Sequence, residues 1–418
     1  MSEHWSSAKI GDCCDILDNL RVPLNSDERG EIQGDIPYYG ANGLQGHIDK
    51  FIFDEPLILL AEDGGYFDEY ESRPIAYRIS GKSWVNNHAH ILRANIGSSF
   101  FQDFIFYCLE HKNITPFIKG GTRAKLNQAE LREILIPKPP KPVQYRIAEI
   151  LSTLDESIEQ TEALIAKYEQ IKAGLMHDLF TLGVTPDGRQ RPSQEARRTK
   201  FGWMPKDWRI GSLLDVADGA RQAILTGPFG ADLGNDDFVA EGVPVLRIGN
   251  VQQGRLDLVN LLRVTEAKAQ QLQRYKVREG DLLFARQGAT TGRNALASKD
   301  VEGWLINYHI IRVALDHTKC APMFIEAAFA GEIVKRQVER DKGRGTREGI
   351  NTAQLKALEL PLASVSEQRA IARILITHEL LCLEATKQLA KLQKQKNGLM
   401  HDLLTGRVRV KVAAAAAA

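Results

Sequence analysis

The longest pattern in the chain is an apolar stripe stepping by four and three residues: Ile147, Leu151, Leu154, Ile158, Thr161, Ile165, Tyr168, Lys172, Leu175 and Leu179. That period is the seam of a coiled coil, and it predicts one helix from Gln144 to Phe180, roughly 55 Å long at about 1.5 Å per residue. The stripe returns as Ile371, Leu375, His378, Cys382, Ala385, Leu389, Leu392, Lys396, Leu399 and Leu403. A helix of this length with one apolar face does not stand alone in water, and the nearest cover for each stripe is the other copy. Ahead of each stripe the period shortens. Ile36-Pro37-Tyr38-Tyr39 precedes Gly40-Ala41-Asn42-Gly43, and Leu57 to Ala61 precedes Glu62-Asp63-Gly64-Gly65, which read as strands with loops between them. Phe100, Phe101, Phe104, Ile105 and Leu109 recur with helical spacing, as do Phe324, Ile325, Ala328, Phe329 and Ile333. Each domain is therefore mixed α/β, without the regular alternation of a doubly wound sheet.

The repetition extends to identities. Gly121-Thr122-Arg123, Asn127, Leu131, Pro137, Gln144, Ile147-Ala148 and Ile150-Leu151 recur as Gly345-Thr346-Arg347, Asn351, Leu355, Pro361, Gln368, Ile371-Ala372 and Ile374-Leu375. The run Gly174-Leu175-Met176-His177-Asp178-Leu179 returns as Gly398 to Leu403, and the shift is 224 throughout (121 to 345, 144 to 368, 174 to 398). Upstream the match loosens and needs gaps: Ile10-Gly11 against Ile210-Gly211, Ile36-Pro37 against Val243-Pro244, Ala61 to Gly64 against Ala285 to Gly288. One unit, a variable domain followed by a well-preserved helix, has been copied. Two similar domains on one scaffold are expected to bind two different things.

Proline marks the junction: Ile136-Pro137-Lys138-Pro139-Pro140-Lys141-Pro142 is expected to run extended into the helix. The boundaries that follow are a first domain over 1–143, a first spacer helix over 144–180, a linker over 181–205, a second domain over 206–366, a second spacer helix over 367–404 and a disordered tail over 405–418. The linker is polar, with Arg189, Arg191, Arg197, Arg198 and Lys200, and reads as a solvated connection. The terminal alanines Ala413 to Ala418 are set aside.

Composition narrows the function. With 43% hydrophobic and 26% charged residues the chain is a globular protein with room for two cores. A formal charge of +1 means that any nucleic-acid contact relies on local basic clusters. Five cysteines, Cys13, Cys14, Cys108, Cys320 and Cys382, form no CxxC pair and suit a reducing cytosol. The start of the chain has no apolar signal core and no run of eighteen apolar residues occurs, so a cytoplasmic location is expected.

No catalytic constellation emerges. Gly81-Lys82-Ser83 resembles the end of a phosphate-binding loop, but Ala76 stands where the first glycine belongs. Gly343, Gly345 and Gly349 have the wrong spacing for a dinucleotide turn, Pro139-Pro140 lacks the Asn or Asp of an adenine methyltransferase loop, and Glu266-Ala267-Lys268 lacks the Pro-Asp of a nuclease signature. His88 and His90 read as hydrogen-bonding residues at a strand start rather than metal ligands. What recurs is a loop combining glycine, hydroxyl and cation: Lys119, Thr122, Arg123 and Lys125 in the first copy, Arg344, Thr346 and Arg347 in the second. Such loops approach phosphates closely, and arginine takes a phosphate or a guanine edge bidentately. Further candidates for DNA contact are Tyr38, Tyr39, Asn42, Asn86, Asn87 and His88, then Arg247, Asn250, Arg286, Gln287, Arg293, Asn307, Tyr308 and His309.

With these residues in view the chain resembles the specificity subunit of type I restriction–modification systems over essentially residues 1 to 410. The marks are Ile36 to Gly43 and its counterpart Val243 to Asn250, Glu279-Gly280-Asp281-Leu282-Leu283-Phe284-Ala285-Arg286, the two Gly-Thr-Arg loops and Ser366-Glu367-Gln368-Arg369. The first copy departs with Lys141-Pro142-Val143-Gln144. The resemblance implies an α+β fold: two target-recognition domains in pseudo-two-fold arrangement, separated by two long antiparallel coiled-coil helices. It implies a non-catalytic subunit that reads a bipartite double-stranded DNA target, one half-site per domain. Methylation subunits are expected along the helices, at Ile147, Leu151, Leu154, Ile158, Leu375, Leu389 and Leu392, and motor–nuclease restriction subunits complete the complex. No cofactor is expected on this chain; S-adenosylmethionine, the donor for adenine N6 methylation, belongs to the methylation subunit. Two other classes stay open on the residues alone, a self-contained DNA-modifying enzyme and a coiled-coil scaffold without a DNA role.

Overall fold

The computed structural model describes residues 5–120, 124–230, 232–343 and 349–412. It divides into two compact units, Met1–Ala163 with Thr386–Ala418, and Leu164–Ala385.

The first unit is built on two four-stranded sheets. One runs in the order Cys14–Ile16, Ala89–Ala94, Leu57–Ala61, Ala76–Ile79, all antiparallel. Its strand Leu57–Ala61 is buried at every position, as an apolar run covered on both faces must be. The other runs Gly43–Ile48, Ile36–Gly40, Lys82–Val85, Phe53–Asp54, with Ile36–Gly40 parallel to Lys82–Val85. Ser7–Lys9 pairs with Leu135–Pro137. The helix Gln102–Glu110 covers the core, burying Phe104, Ile105, Tyr107 and Leu109.

The second unit repeats this plan. Its all-antiparallel sheet has the order Ile224–Thr226, Ile310–Val313, Leu282–Ala285, Asn294–Leu296. In its second sheet Val243–Leu246 runs parallel to Leu305–Ile306, and Arg209–Ser212 pairs with Glu359–Leu362. The covering helix is Pro322–Ala330; it stops at Gly331, so Ile333 belongs to a separate helix, Glu332–Asp341.

Two long helices, Lys141–Thr181 and Val365–Leu404, span 41 and 40 residues. The first starts inside the proline-rich run. Pro142 sits in its first turn, where a missing N–H costs nothing, and the Pro140 carbonyl accepts from the Val143 and Gln144 amides (2.9 and 3.2 Å). Within each unit the helix segments run antiparallel. In the first unit Ile147 and Leu151 share a core with Met400 and Leu403, while Lys396 reaches Asp155 (2.7 Å). In the second, Tyr168 meets His378 edge-on at 5.9 Å and Lys172 reaches Glu379 (3.0 Å). Shifted by 224, Asp155 and Lys172 become Glu379 and Lys396, so the two ion pairs are one pair repeated.

The repeated glutamine explains how each helix is anchored. Buried Gln144 accepts from the Phe101 amide (2.8 Å) and donates to the Ser99 and Pro139 carbonyls (3.0 and 2.9 Å). Gln368 accepts from Ala321 N (3.0 Å) and donates to Ala363 O (2.9 Å). One carboxamide thus satisfies backbone groups at the covering helix's start that no helix bond reaches.

Two expectations are corrected. Residues 181–205 are no solvated connection: Ala196–Thr199 pairs with Gly202–Pro205, and Val184 and Met204 are buried. The cause is Glu367, buried and in need of donors, which receives the Val184 amide (2.9 Å) and Arg191 (2.6 Å). Nor do residues 405–412 hang free. Val410 packs at the margin of the first core together with Val143 and Leu404, and Gly406 lies against the Trp5 ring. Val143, the departure noted above, therefore faces apolar neighbours where Glu367 faces an arginine.

Candidate nucleic-acid interface

In the first unit four loop segments meet beyond the parallel strands: residues 40–45, 62–65, 86–88, and 119–120 with 124–125. Gly43 turns the first at φ +102° and Gly120 the last at φ +100°, conformations that side chains resist. Asn42 Nδ2 donates to Gly64 O (2.9 Å) and Asn86 Nδ2 to Gln45 Oε1 (3.2 Å). The backbone of Lys119 and Lys125 pairs in both directions (2.9 and 3.0 Å), and the Leu126 amide reaches Glu62 O (2.8 Å). Asn86 Oδ1 accepts from the His88 amide (2.9 Å), and exposed His88 sets Nδ1 2.6 Å from Asp63 Oδ1.

The second unit makes the same bonds with different side chains. Asn307 Oδ1 accepts from the His309 amide (3.2 Å), as Asn86 does from His88. Asn307 N bonds Leu246 O (2.9 Å) as Asn86 N bonds Tyr39 O (3.0 Å). Arg286 N takes His309 O (3.0 Å) and Ile350 N takes Arg286 O (2.8 Å), matching Glu62 with His88 and Leu126. His309 Nδ1 lies 2.8 Å from Gln287 Oε1, in the place of the His88–Asp63 pair. Burial, aided by the Arg286 charge, lowers the His309 pKa from its ordinary value.

The environments differ in charge. Under the first unit's loops Arg21 is bonded to Glu62 and to the Ala89 carbonyl (2.9 Å), Lys125 reaches Glu62 (2.9 Å), and His90 Nδ1 meets Asp18 Oδ2 (2.6 Å). Burial pushes the Asp18 and Glu62 carboxyls up, but His90 and the Ile91 amide at Asp18, and Arg21 and Lys125 at Glu62, outweigh it and hold both below the ordinary carboxylate range. Asp18, Glu62 and His90 also lie close enough together for a metal site, yet their polar atoms are already hydrogen-bonded, His90 Nε2 donating to Leu126 O (2.8 Å). In the second unit the same place holds Arg286, which donates to Ile350 O and Tyr308 O (both 3.3 Å). Beside it a cavity of about 720 Å³ is lined by Arg247, Asn260, Asn307, Tyr308 and His309 among others. The Tyr308 ring lies tilted against His309 (centroids 3.7 Å apart) and Phe229 (6.0 Å).

The structure thus brings together Asn42, Asn87, His88, Lys119 and Lys125 in one unit, and Arg286, Gln287 and Tyr308 in the other. Other candidates are placed differently. Tyr38 is a core side chain, 1% exposed beside Ile48 and Trp84, because alternate residues of its strand point inward. Tyr39 packs half-buried near Tyr77 (6.3 Å). Asn250 is buried and holds its own loop through the Arg247 amide and the Asp257 and Val259 carbonyls; Arg247 bonds Asn260 O (2.9 Å) and Arg293 bonds Gln252 (2.7 Å). Within the first cluster Lys119 is already paired with Glu130. Thr122, Arg123, Arg344, Thr346 and Arg347 lie outside the described residues.

The expected partner-binding positions also need correction. Ile147, Leu151, Leu375 and Leu392 are buried, and Leu154, Ile158 and Leu389 half-buried, since the seam is what the helices use on each other. An exposed stripe on the second helix is Ile376, Leu380 and Leu383, 42%, 60% and 49% accessible and spaced by four and three; Leu381 beside it and Leu164 and Ile171 on the first helix are also exposed. Sequence reasoning also passed over Arg21, Glu62 and Asp63. The signal for Glu62 and Asp63 was available in the loose alignment that sets Glu62-Asp63-Gly64 against Arg286-Gln287-Gly288, and in the shared Asn-x-His at 86–88 and 307–309; Arg21 carried none.

Comparison with known proteins gives the family of the chain. The family model for the type I restriction modification DNA specificity domain matches residues 2–170 and again 205–394. A putative type I restriction enzyme specificity subunit of Haemophilus influenzae is 36% identical over 145 residues, 35% of this chain and 36% of that protein. The MjaVIII type I specificity subunit of Methanocaldococcus jannaschii is 25% identical over 425 residues, covering 98% of this chain and 94% of that one. The crystal structure of the type I S subunit from M. genitalium shares the fold, with TM-score 0.63 at 16% identity over 96% of both chains. Among the described residues no helix is long and apolar enough to cross a membrane. With two copies of the specificity domain accounting for most of its length, the chain belongs to the type I restriction–modification specificity subunits, the non-catalytic components of their complexes.

Proposed function

We propose that this chain reads a bipartite DNA sequence in the cytoplasm, one half-site per unit, for a type I restriction–modification complex. The observation that carries the reading is the loop cluster built twice on the same backbone hydrogen bonds with different side chains at its tips. A fixed frame bearing altered donors and acceptors is what discrimination between two base sequences needs. Half-sites on one duplex are read from one face when about a helical turn apart, roughly 34 Å, a span within the reach of helices of this length.

Methylation subunits dock on the exposed stripe of Ile376, Leu380 and Leu383, in place of the seam positions. They bring S-adenosylmethionine and transfer its methyl group to adenine N6; base flipping puts that chemistry in their pocket, so this chain needs none. They also supply phosphate-neutralising cations that a chain of net charge +1 lacks. Motor–nuclease subunits join for cleavage.

The experiment is a genome-wide map of N6-methyladenine in cells carrying this chain and its methylation subunit. The expected motif is two short half-sites around an unread spacer. Deleting one heptad from both helices, about 10 Å, is expected to shorten that spacer by roughly three base pairs; an unchanged spacer rejects the helices as its determinant.

A further inference from the structure

The two loop clusters differ most sharply where the histidine meets its partner. Asp63 and Gln287 occupy the same place on the shared frame, after equivalent strands and beside the equivalent histidine amide. Each orients its histidine through one side-chain oxygen, Asp63 Oδ1 to His88 Nδ1 at 2.6 Å and Gln287 Oε1 to His309 Nδ1 at 2.8 Å. The atom left over differs in kind. A carboxylate keeps a second acceptor oxygen, whereas a carboxamide keeps an NH2 group with two donors. Among the described residues no other side chain bonds either atom. The setting matches: Asp63 side chain and His88 are about one third and one half accessible (34% and 49%), and Gln287 lies half-buried at the edge of the loop cluster.

We propose that these two side chains select the base read at the equivalent position of each half-site. Asp63 accepts from a base that presents an amino group, adenine N6 or cytosine N4. Gln287 donates to a base that presents an acceptor, guanine O6 or thymine O4. Where one reads a purine, the two choices are adenine against guanine; where one reads a pyrimidine, cytosine against thymine. The histidine beside each holds the reading atom in place, which makes it a positioning residue. This inference rests on the DNA-reading function proposed above and adds which atoms discriminate.

Isosteric exchange isolates the reading atom. Asp63→Asn keeps an oxygen for His88 Nδ1 and turns the outer acceptor into a donor; Gln287→Glu keeps the oxygen for His309 and does the reverse. Each variant is purified as the complex with its methylation subunit, checked against the parent by thermal melting, and used to select duplexes from a library randomised over both half-sites. The parent is expected to select two half-sites, and if it selects none the DNA-reading function itself fails, whatever the variants do. Given a parental motif, Asp63→Asn is expected to move one position of one half-site from amino-bearing to keto-bearing base, and Gln287→Glu to move one position of the other half-site in the opposite sense. Each change should be roughly ten-fold in preference, the scale of one good base contact. Parental preferences at every position, or a loss of binding spread evenly over all positions, overturn the assignment and leave the bipartite function standing.

Discussion

Lys172 and Lys396 occupy the same place in the repeat, and replacing each by methionine is expected to have very different consequences. Lys396 is 11% exposed and its ammonium lies 2.7 Å from both Glu110 and Asp155, themselves 10% and 16% exposed. Asp155 keeps Arg78 (3.1 Å) and the Tyr107 hydroxyl (2.6 Å) when the lysine goes. Glu110 keeps nothing comparable, and burial already pushes its carboxyl above the ordinary range. Breaking a buried pair from one side costs about 3–5 kcal/mol. Lys172 and Glu379 are 47% and 43% exposed, where such a pair contributes about 0–1 kcal/mol. Hydrogen exchange, followed by mass spectrometry on the core strands Leu57–Ala61 and Leu282–Ala285, reads each unit separately. Lys396→Met should accelerate exchange of the first strand by roughly 10²- to 10⁴-fold at about 1.4 kcal/mol per decade, and Lys172→Met should change the second by less than about ten-fold. A carboxyl whose folded pKa is raised stabilises below its unfolded pKa and loses that contribution as pH rises, so the Lys396→Met deficit should shrink from pH 8 to pH 5. Equal effects of the two substitutions, or a deficit that grows on acidification, would refute the reasoning.

Three further outcomes follow from the same geometry. Glu326 is buried, with its carboxyl pushed up to about 7 from 4.5 by desolvation, so its charged form opposes folding above neutrality. Glu326→Gln should therefore stabilise the second unit at pH 8 by up to roughly 3 kcal/mol, at about 1.4 kcal/mol per pH unit, and change little at pH 4.5; pH-dependent urea melts check this, and a pH-independent effect rejects it. Gln144→Leu and Gln368→Leu, which strand backbone groups at the two helix anchors, should each cost about 2–4 kcal/mol in denaturant unfolding; a cost below about 0.5 kcal/mol in either would show the anchor to be dispensable. Serine at Ile376, Leu380 and Leu383 together should leave the melting temperature within about 2 °C, since the side chains already face water, and abolish co-purification with the methylation subunit; retained co-purification places that docking surface elsewhere.

The strand-and-loop character of each domain and both long helices were legible in the residues because each rests on a short-range period, two for strands and three and four for the seam, and the duplicated plan because identities recur at a constant shift of 224. The seam residues are buried or half-buried as that period requires, Lys172 apart, and Gln144 and Gln368 lie in the first turns of the two helices. What a period leaves open is which side of an element its neighbours cover. Tyr38 and Asn42 sit four residues apart with the same apparent aptitude for a base, and only the packing of Ile48 and Trp84 puts one in the core and leaves the other at the surface. The lysines at 172 and 396 are one residue in the repeat, yet Glu110 and Asp155 from other elements make one a buried charge centre. Likewise Asp63 is an unremarkable loop residue, and Gln287 one polar candidate among many, until the fold brings His88 and His309, more than twenty positions away in the chain, to their oxygens. Local propensity and periodicity are properties of the sequence itself; desolvation and the pairing of distant donors with acceptors exist only once the chain has closed on itself, and the chemistry of these loops belongs to that second kind.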